Sequence, residues 1–195
     1  MKATVTMHTP EIDISDNAKI CYATTSDKDI TKSLMSEHNH LAALRFAYAT
    51  VAVEGISVAC QNQVVRSPHL AYMVQSKRYV NASKGGFEFI MPADLKPEHQ
   101  DMMTNAWEYS FGMYEMLLSQ GVKKQDARAI LPANTSTKMN ITGNLQAWYD
   151  FFVLRLTQHA QLEIRELAEE IYCQLAELYP QVFTQDLKVK LREGK

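Results

Sequence analysis

Two segments of the sequence place a guanidinium where it could meet an anion. Ser76 and Arg78 flank one residue, so an extended segment would point both side chains to the same side. A hydroxyl beside a guanidinium suits a phosphate or a carbonyl-rich ring. Arg128 lies on a short predicted helix that ends at Pro132, from which it could enter a cleft. Ser-x-Arg is also common on solvated strands and Arg128 could equally pair with Asp126, so neither segment alone defines a site.

A third candidate, Arg155, lies within an apolar stripe of a long predicted helix. The stripe is spaced at steps of four, three, four and three residues: Trp148, Phe152, Arg155, His159 and Leu162. Residues at this spacing share one helix face. A buried guanidinium is costly unless an anion or an array of carbonyls meets it. Arg155 is therefore either an anion-binding group or one half of a structural ion pair, for instance with Glu163 or Asp150.

These segments occur in a fixed order with further motifs. The set comprises Cys21-Tyr22-Ala23, Gly55-Ile-Ser57, Gln63-Val-Val-Arg66, Ser76-Lys-Arg78-Tyr79, Ala127-Arg128-x-x-Leu131-Pro132, and Leu154-Arg155 followed after four residues by Ala160-Gln161-x-Glu163-Ile164-Arg165. The set resembles that of the flavin-dependent thymidylate synthases, also called thymidylate synthase complementing proteins, over about residues 18–183. In that family an Arg-His-Arg hallmark is followed after seven residues by Ser-x-Arg, and Arg66 and Ser76 keep this spacing.

The resemblance implies an enzyme that methylates dUMP at C5. Methylenetetrahydrofolate would supply the carbon, FAD reduced by NADPH would supply the hydride, and homotetramers would share active sites between subunits. The positions that match nucleotide-binding residues are Gln63, Ser76, Arg78, Arg128 and Arg155. Arg155 is the expected catalytic residue, because a guanidinium can polarise the pyrimidine ring. Ser76 as a nucleophile is the weaker alternative, since no base lies beside it in the motif.

The positions that match the family's flavin site are less well kept. His40, Arg66, Asn144 and Tyr79 are the candidate cofactor-binding residues. The hallmark's histidine and second arginine are Ser67 and Pro68, the usual acidic residue is Val74, and Gln146 and Asp150 replace a common Arg and Asn. Loss of charged and imidazole groups predicts weaker FAD binding, because charge-assisted hydrogen bonds are the strong ones.

Three functions remain open at this level. The first is a divergent thymidylate synthase that holds FAD through other contacts. The second is a related pyrimidine-nucleotide hydroxymethyltransferase that uses methylenetetrahydrofolate with little or no flavin dependence. The third is a non-catalytic nucleotide-binding paralogue. No residue declares whether the base is uracil or cytosine.

The helices and strands expected from the sequence indicate an α+β fold, with helices around a small, largely antiparallel sheet. The chain is expected to form one domain over residues 1–195. An extended lead-in is expected over 1–20 and helical structure over 27–44, interrupted around His38–His40. Strands are expected at 46–53, closed by Gly55, at 70–75 and at 87–91, with a turn at 84–86. Helices are expected at 57–66, with Ser57 as the N-cap, and at 98–120, where apolar residues from Met103 to Leu118 recur at steps of three and four. Further helices are expected at 124–131 and 144–178, and irregular structure at 134–142.

Composition excludes several other classes. Twenty Lys and Arg residues against 22 Asp and Glu residues give a net charge of −2, which argues against a dedicated nucleic-acid binder but allows a local basic pocket. The three cysteines, Cys21, Cys60 and Cys173, form no Cys-x-x-Cys pair, so reduced thiols are expected and a metal site is not. No signal peptide or apolar stretch of membrane-spanning length is evident. We therefore expect a soluble, cytoplasmic protein without a nucleic-acid or membrane partner.

Overall fold

An antiparallel sheet forms the base of the fold. The computed structural model describes residues 1–36, 40–80 and 86–194. Within them the strands are β1 (Lys2–His8), β2 (Tyr48–Ser57), β3 (Ala71–Val74) and β4 (Ser136–Asn144). The strands lie in the order β1-β2-β4-β3, and each neighbouring pair is antiparallel.

Helices account for most of the remaining described structure. They are α1 (Ile12–Lys19), α2 (Thr31–Ser36), α3 (Val58–Val64), α4 (Pro97–Ser119), α5 (Lys124–Ala127), α6 (Leu145–Arg155), α7 (Leu162–Leu178) and α8 (Gln185–Glu193). Short 3-10 helices cover Ile20–Tyr22, Leu41–Phe46 and Arg128–Ile130. The predicted α+β class, with helices around a small antiparallel sheet, is confirmed.

The main core lies between the sheet and helices α6 and α7. Ala49, Val51 and Val53 of β2 are buried, whereas Tyr48 and Glu54 are exposed, as expected for a strand with one covered face. Six buried aromatic residues complete this core: Trp148, Phe151, Phe152, Tyr172, Tyr179 and Phe183. Trp148 Nε1 donates a 3.1 Å hydrogen bond to the Ala49 carbonyl, which ties α6 to the sheet.

Helix α7 also closes the outer edge of β1. The Ala3 N–H donates to Glu170 Oε1 at 2.8 Å, and the Val5 N–H donates to Gln174 Oε1 at 2.9 Å. Gln174 Nε2 donates in return to the Ala3 carbonyl at 2.9 Å. Side chains thus satisfy backbone groups that an edge strand otherwise leaves to solvent.

Helix α4 packs away from the main core. Its inner face joins a second apolar cluster built on Phe87, Tyr114 and Ala127. On its outer face Met102, Tyr109 and Met116 follow one another at intervals of seven residues and are 68%, 72% and 43% exposed. A seven-residue interval places side chains in one line along a helix, so α4 presents an exposed apolar stripe.

Local signals predicted several elements well. Ser57 was expected to cap the helix that follows, and its Oγ accepts a 2.9 Å hydrogen bond from the Cys60 N–H at the start of α3. Strands β2 and β3 and helix α4 also lie where they were predicted. Gly55 does not close β2, however. It has φ +68° within a bulge between Glu54 and Ile56, where the strand continues to Ser57.

The segment over 134–142, predicted to be irregular, contains most of the central strand β4. Lys138, Asn140 and Thr142 are exposed and alternate with the buried Met139 and Ile141. This alternation of exposed and buried side chains is typical of a strand with one buried face. The Thr and Asn residues, however, are also typical of loops, and only the pairing with β2 and β3 decides between the two. The prediction of irregular structure was wrong for this reason.

The long helix predicted over 144–178 is two helices. Helix α6 ends at Arg155, residues 156–161 form a turn, and Gln161 precedes α7 in an extended conformation with ψ 142°. No Gly or Pro marks this break. Because α6 ends at Arg155, the predicted apolar stripe also ends there, and His159 is exposed in the turn.

Other segments also differ from the prediction. Residues 1–20, expected to be an extended lead-in, form β1 and α1. The strand expected at 87–91 is reduced to one bridge between Phe89 and Thr135. Two predictions fall largely outside the described residues, namely the break around His38 and the turn at 84–86.

Candidate functional site

Arg155 lies at the last residue of α6, with its guanidinium turned toward α3. Its Nη2 donates a 2.7 Å hydrogen bond to the backbone carbonyl of Gln63. Its Nε is buried and has no hydrogen-bond partner among the residues that the structure describes. The suggested ion pair with Glu163 or Asp150 is not formed, because Glu163 accepts hydrogen bonds from Ser57 and Asp150 accepts one from Gln146. The guanidinium therefore retains donors that a ligand can use.

Electrostatics around Arg155 favour an anion. Burial lowers the pKa of Arg155, and the nearby positive charge of Arg66 lowers this pKa further. Arg66 is exposed and makes no hydrogen bond or ion pair with the rest of the described chain. Two cations that disfavour each other would both be stabilised by a negative charge between them.

Further polar groups surround this pair. Gln63 Nε2 donates a 2.6 Å hydrogen bond to Gln161 Oε1, just before α7. The Tyr72 hydroxyl donates to the carbonyls of Val64 and Ser67 at 3.0 and 2.8 Å, and burial raises the pKa of this hydroxyl. We call the group Gln63, Arg66, Arg155 and Gln161 the Arg155 cluster.

Ser76 and Arg78 lie in a turn after β3. The extended conformation that would align the two side chains is not adopted: Ser76 Oγ accepts a 3.3 Å hydrogen bond from the Arg78 N–H, and the Ser76 carbonyl accepts from the N–H groups of Tyr79 and Val80. Local hydroxyl-to-backbone bonds of this kind stabilise turns. The turn docks on α5, where Arg78 Nη2 donates to Gln125 Oε1 at 3.4 Å and Lys124 Nζ donates to the Tyr79 carbonyl at 3.1 Å.

Two further cations lie at the same turn. Arg128 Nε donates to the Gln125 carbonyl at 3.3 Å, which places it beside the docking point of Arg78. Lys77 Nζ donates to the Ser136 carbonyl at 3.0 Å and lies 5.1 Å from the centre of the Phe87 ring. Burial lowers the pKa of Lys77 to about 8, and the positive charge of Arg128 contributes. We call Ser76, Lys77, Arg78, Lys124 and Arg128 the Arg78 cluster.

The five predicted nucleotide-binding residues thus fall into two groups. Gln63 and Arg155 belong to the Arg155 cluster, and Ser76, Arg78 and Arg128 belong to the Arg78 cluster. Within residues 1–36, 40–80 and 86–194, no hydrogen bond or ion pair joins the two clusters. Sequence reasoning did not single out Lys77 and Lys124, although Lys77 lies inside the Ser-x-Arg motif.

The candidate flavin residues are distributed over both groups and beyond them. Tyr79 is 76% exposed, with the Arg78 guanidinium 5.6 Å from its ring centre. His40 is exposed, with Nδ1 3.4 Å from the Tyr22 hydroxyl. Asn144 Oδ1 caps α6 by accepting a 2.9 Å hydrogen bond from the Ala147 N–H. An exposed aromatic ring, an imidazole, the amide donor of Asn144 and the Arg66 guanidinium suit a flavin and its phosphates chemically.

A cavity of about 480 Å³ adjoins the Arg155 cluster at Gln161. Asp94, Glu163 and Glu166 also line it. Three carboxylates make this cavity unsuitable for a phosphate, so the two clusters remain the better anion sites. Among the described residues, no group of three His, Cys, Asp or Glu side chains could hold a metal ion, and no helix is both long and apolar enough to span a membrane.

Comparison with known proteins decides which family these motifs belong to. Residues 4–181 match the family model described as thymidylate synthase complementing protein. The chain belongs to this family.

Several thymidylate synthase complementing proteins with curated names are similar to this chain over most of its length. The flavin-dependent thymidylate synthase of Geobacter sulfurreducens is 30% identical over 198 residues, covering 94% of this chain and 85% of the relative. The protein of the same name from Mycolicibacterium vanbaalenii is 32% identical over 172 residues, covering 80% and 68%. The flavin-dependent thymidylate synthase of Pyrococcus furiosus is 32% identical over 157 residues, covering 77% of this chain and 64% of the relative.

Proposed function

We propose that the protein catalyses the reductive methylation of dUMP to dTMP at C5, using methylenetetrahydrofolate and reduced FAD, with NADPH as reductant. The observation that carries this proposal is the half-buried Arg155 guanidinium, which lies at its family motif position and is bonded to a carbonyl rather than to a carboxylate. Membership of the family supports the same reading.

The two clusters would divide the work of binding dUMP. Arg78, Arg128 and Lys77 would hold an anionic phosphate, because guanidinium and ammonium groups form charge-assisted hydrogen bonds with it. Gln63 and Arg155 would meet the uracil oxygens. Arg155 would draw electron density from the ring, which makes C6 more electrophilic and orients C5 for carbon transfer. Ser76 would bind substrate and not act as a nucleophile, since its Oγ accepts the Arg78 N–H and no base among the described residues forms a hydrogen bond with it.

His40, Arg66, Asn144 and Tyr79 are the residues that would hold FAD. When bound, the reduced flavin supplies the hydride that completes the methyl group. Asn144 would use its amide donor, since its oxygen already caps α6. Arg66 would provide the charge that Pro68 does not, because the hallmark's second arginine is missing.

Assembly into a homotetramer with shared active sites forms part of this proposal. Two observations support it. The proposed nucleotide-binding residues divide into two clusters that no hydrogen bond or ion pair joins in the described part of the chain, so a second copy would complete each site. The apolar stripe on α4, formed by Met102, Tyr109 and Met116, is left exposed by the single chain. Exposed apolar stripes of this kind are typical of surfaces between subunits.

A flavin and product assay tests the function. The purified protein should show flavin absorbance after addition of FAD. Mixed with dUMP, methylenetetrahydrofolate and NADPH, it should form dTMP, identified by mass, and omission of NADPH should prevent this. Absence of flavin binding, or formation of 5-hydroxymethyl-dUMP without reductant, would contradict the proposal.

A hydroxymethyltransferase is the second candidate, and a specific observation favours it. Ser67 stands where the family hallmark has histidine, and it is buried, with its carbonyl accepting a 2.8 Å hydrogen bond from the Tyr72 hydroxyl. This part of the family's flavin site therefore offers no imidazole. A nucleotide-binding protein without catalysis would be recognised differently: it would bind dUMP but release no C5 hydrogen with any folate or reductant.

A further inference from the structure

The Gly55-Ile-Ser57 motif and the motif that contains Glu163 meet through the carboxylate of Glu163. Glu163, in the first turn of α7, accepts a 2.7 Å hydrogen bond from the Ser57 N–H at Oε1 and another of 2.7 Å from Ser57 Oγ at Oε2. Ser57 Oγ itself accepts the Cys60 N–H at 2.9 Å. Both carboxylate oxygens are therefore used to hold Ser57, the N-cap of α3.

The other end of α3 is held by residues near the same turn. The Gln63 side chain bonds to Gln161, and the Gln63 carbonyl accepts from Arg155 at 2.7 Å. Residues 155–163, which join α6 to α7, thus hold α3 at its N-cap, Ser57, and near its last residue, at Gln63. The position of α3 relative to Arg155 depends on both contacts.

Cys60 lies between these contacts and is completely buried. Burial, together with the charge of Glu163, raises the pKa of the Cys60 thiol to about 12, even though Arg155 acts in the opposite direction. The thiol is neutral at physiological pH, so it does not neutralise the Arg155 guanidinium. Glu163 is likewise engaged with Ser57, which leaves Arg155 available to a ligand.

We infer that Glu163 is a positioning residue for the nucleotide site: by holding Ser57 it fixes α3, and through α3 it sets the spacing between Gln63 and Arg155. The nucleotide part of this inference rests on the proposed function. Within the described part of the chain, Glu163 makes no hydrogen bond to a proposed substrate-binding residue. Its effect should therefore appear in dUMP affinity and in the mobility of α3.

Glu163→Gln is the main test, because the amide keeps the shape of the side chain but offers an acceptor to only one of the two Ser57 donors. Glu166→Gln is the matched control, since Glu166 lies in the same turn and makes no hydrogen bond within the described part of the chain. We expect Glu163→Gln to weaken dUMP binding, measured by calorimetry, about tenfold, in line with the loss of one charge-assisted bond. Glu166→Gln should stay within about twofold of wild type.

Steady-state kinetics and hydrogen exchange separate positioning from a general loss of stability. In Glu163→Gln the KM for dUMP should rise more than the KM for methylenetetrahydrofolate, and backbone amides of residues 57–64 should exchange faster than in wild type. Ser57→Ala removes one bond to Glu163 together with the Oγ cap on the Cys60 N–H, so it should change both measurements in the same direction and at least as strongly. This variant serves if Glu163→Gln does not fold.

Two results would overturn the inference. One is a dUMP affinity in Glu163→Gln within about twofold of wild type. The other is unchanged exchange in α3. If wild-type protein does not bind dUMP, the proposed function fails, and the exchange measurement alone then decides whether Glu163 holds α3.

Discussion

The Arg155 guanidinium donates a 2.7 Å hydrogen bond to the Gln63 carbonyl, which ties the end of α6 to α3. The two residues are 92 positions apart in the chain, and each belongs to a different family motif. A carbonyl leaves the positive charge of Arg155 uncompensated, whereas a carboxylate would neutralise it. This pairing makes Arg155 suitable for an anionic or carbonyl-rich ligand.

Replacement of Arg155 should separate catalysis from folding. Arg155→Ala is expected to abolish turnover and to weaken dUMP binding, with a loss in kcat of about 10²-fold or more, because an electrostatic donor to the reacting ring is removed. Arg155→Lys should be nearly as impaired, since one ammonium cannot replace a forked guanidinium. Circular dichroism should show intact folding in both variants. Unchanged activity in Arg155→Ala would show that the role of Arg155 is structural and not catalytic.

Complementation between variants should reveal whether active sites are shared. Arg155→Ala and Arg78→Ala carry their defects in different clusters, and each is expected to be inactive alone. If each site combines clusters from two copies, co-expression in equal amounts should restore about a quarter of wild-type activity by random assembly. A mixture as inactive as its components would place both clusters of each site in one copy.

Lys77 should make stability depend on pH in the alkaline range. Its pKa is lowered from 10.5 to about 8 in the folded protein, mainly by burial. Between these values the unfolded chain binds a proton that the folded chain does not, so the contribution of Lys77 to the free energy of unfolding rises with pH. Urea unfolding should show this rise in wild type.

Two variants check the cause of this pH dependence. Lys77→Met should flatten the alkaline rise, because no titrating group remains at that position. Arg128→Gln removes the second cause of the lowered pKa, so the rise should begin at a higher pH than in wild type. A wild-type profile that already matches Lys77→Met would contradict the prediction.

Asn144 should contribute to stability through its cap on α6. Asn144→Ala is expected to lower the free energy of unfolding by about 1 kcal/mol, which is typical for loss of an N-cap side chain. Asn144→Asp keeps the capping oxygen but loses the amide donor, so it should retain stability and, if the amide binds the cofactor, reduce FAD affinity. Urea unfolding and flavin titration measure the two effects. Equal stability of Asn144→Ala and wild type would show that the cap is dispensable.

The sequence was most informative where short-range chemistry decides structure. The hydroxyl of Ser57 at the start of an apolar helical pattern predicted its cap, and the regular spacing from Met103 to Leu118 predicted α4. Residues that bind nucleotide in the family could also be proposed from motif order. These features depend on neighbours within a few positions of one another.

Long-range pairing explains what sequence reasoning missed. Strand β4 is recognisable only when Ile141 is known to lie between Val51 and Tyr72 on its neighbours. The break after Arg155 has no Gly or Pro to signal it. Tertiary contacts of the turn, including that between Gln161 and Gln63, accompany the break, and these cannot be predicted from the local sequence. Motif order likewise could not reveal that Gln63 and Ser76 belong to separate clusters.

Closure of the β1 edge by α7 has a consequence for biosynthesis. Glu170 and Gln174 satisfy the backbone of Ala3 and Val5, which the ribosome makes more than 160 residues earlier. The outer hydrogen-bonding groups of β1 therefore stay unpaired until α7 has emerged from the ribosome. An unprotected strand edge can pair with a neighbouring nascent chain. Productive folding of this protein should consequently be sensitive to translation speed and to chaperones that shield β1.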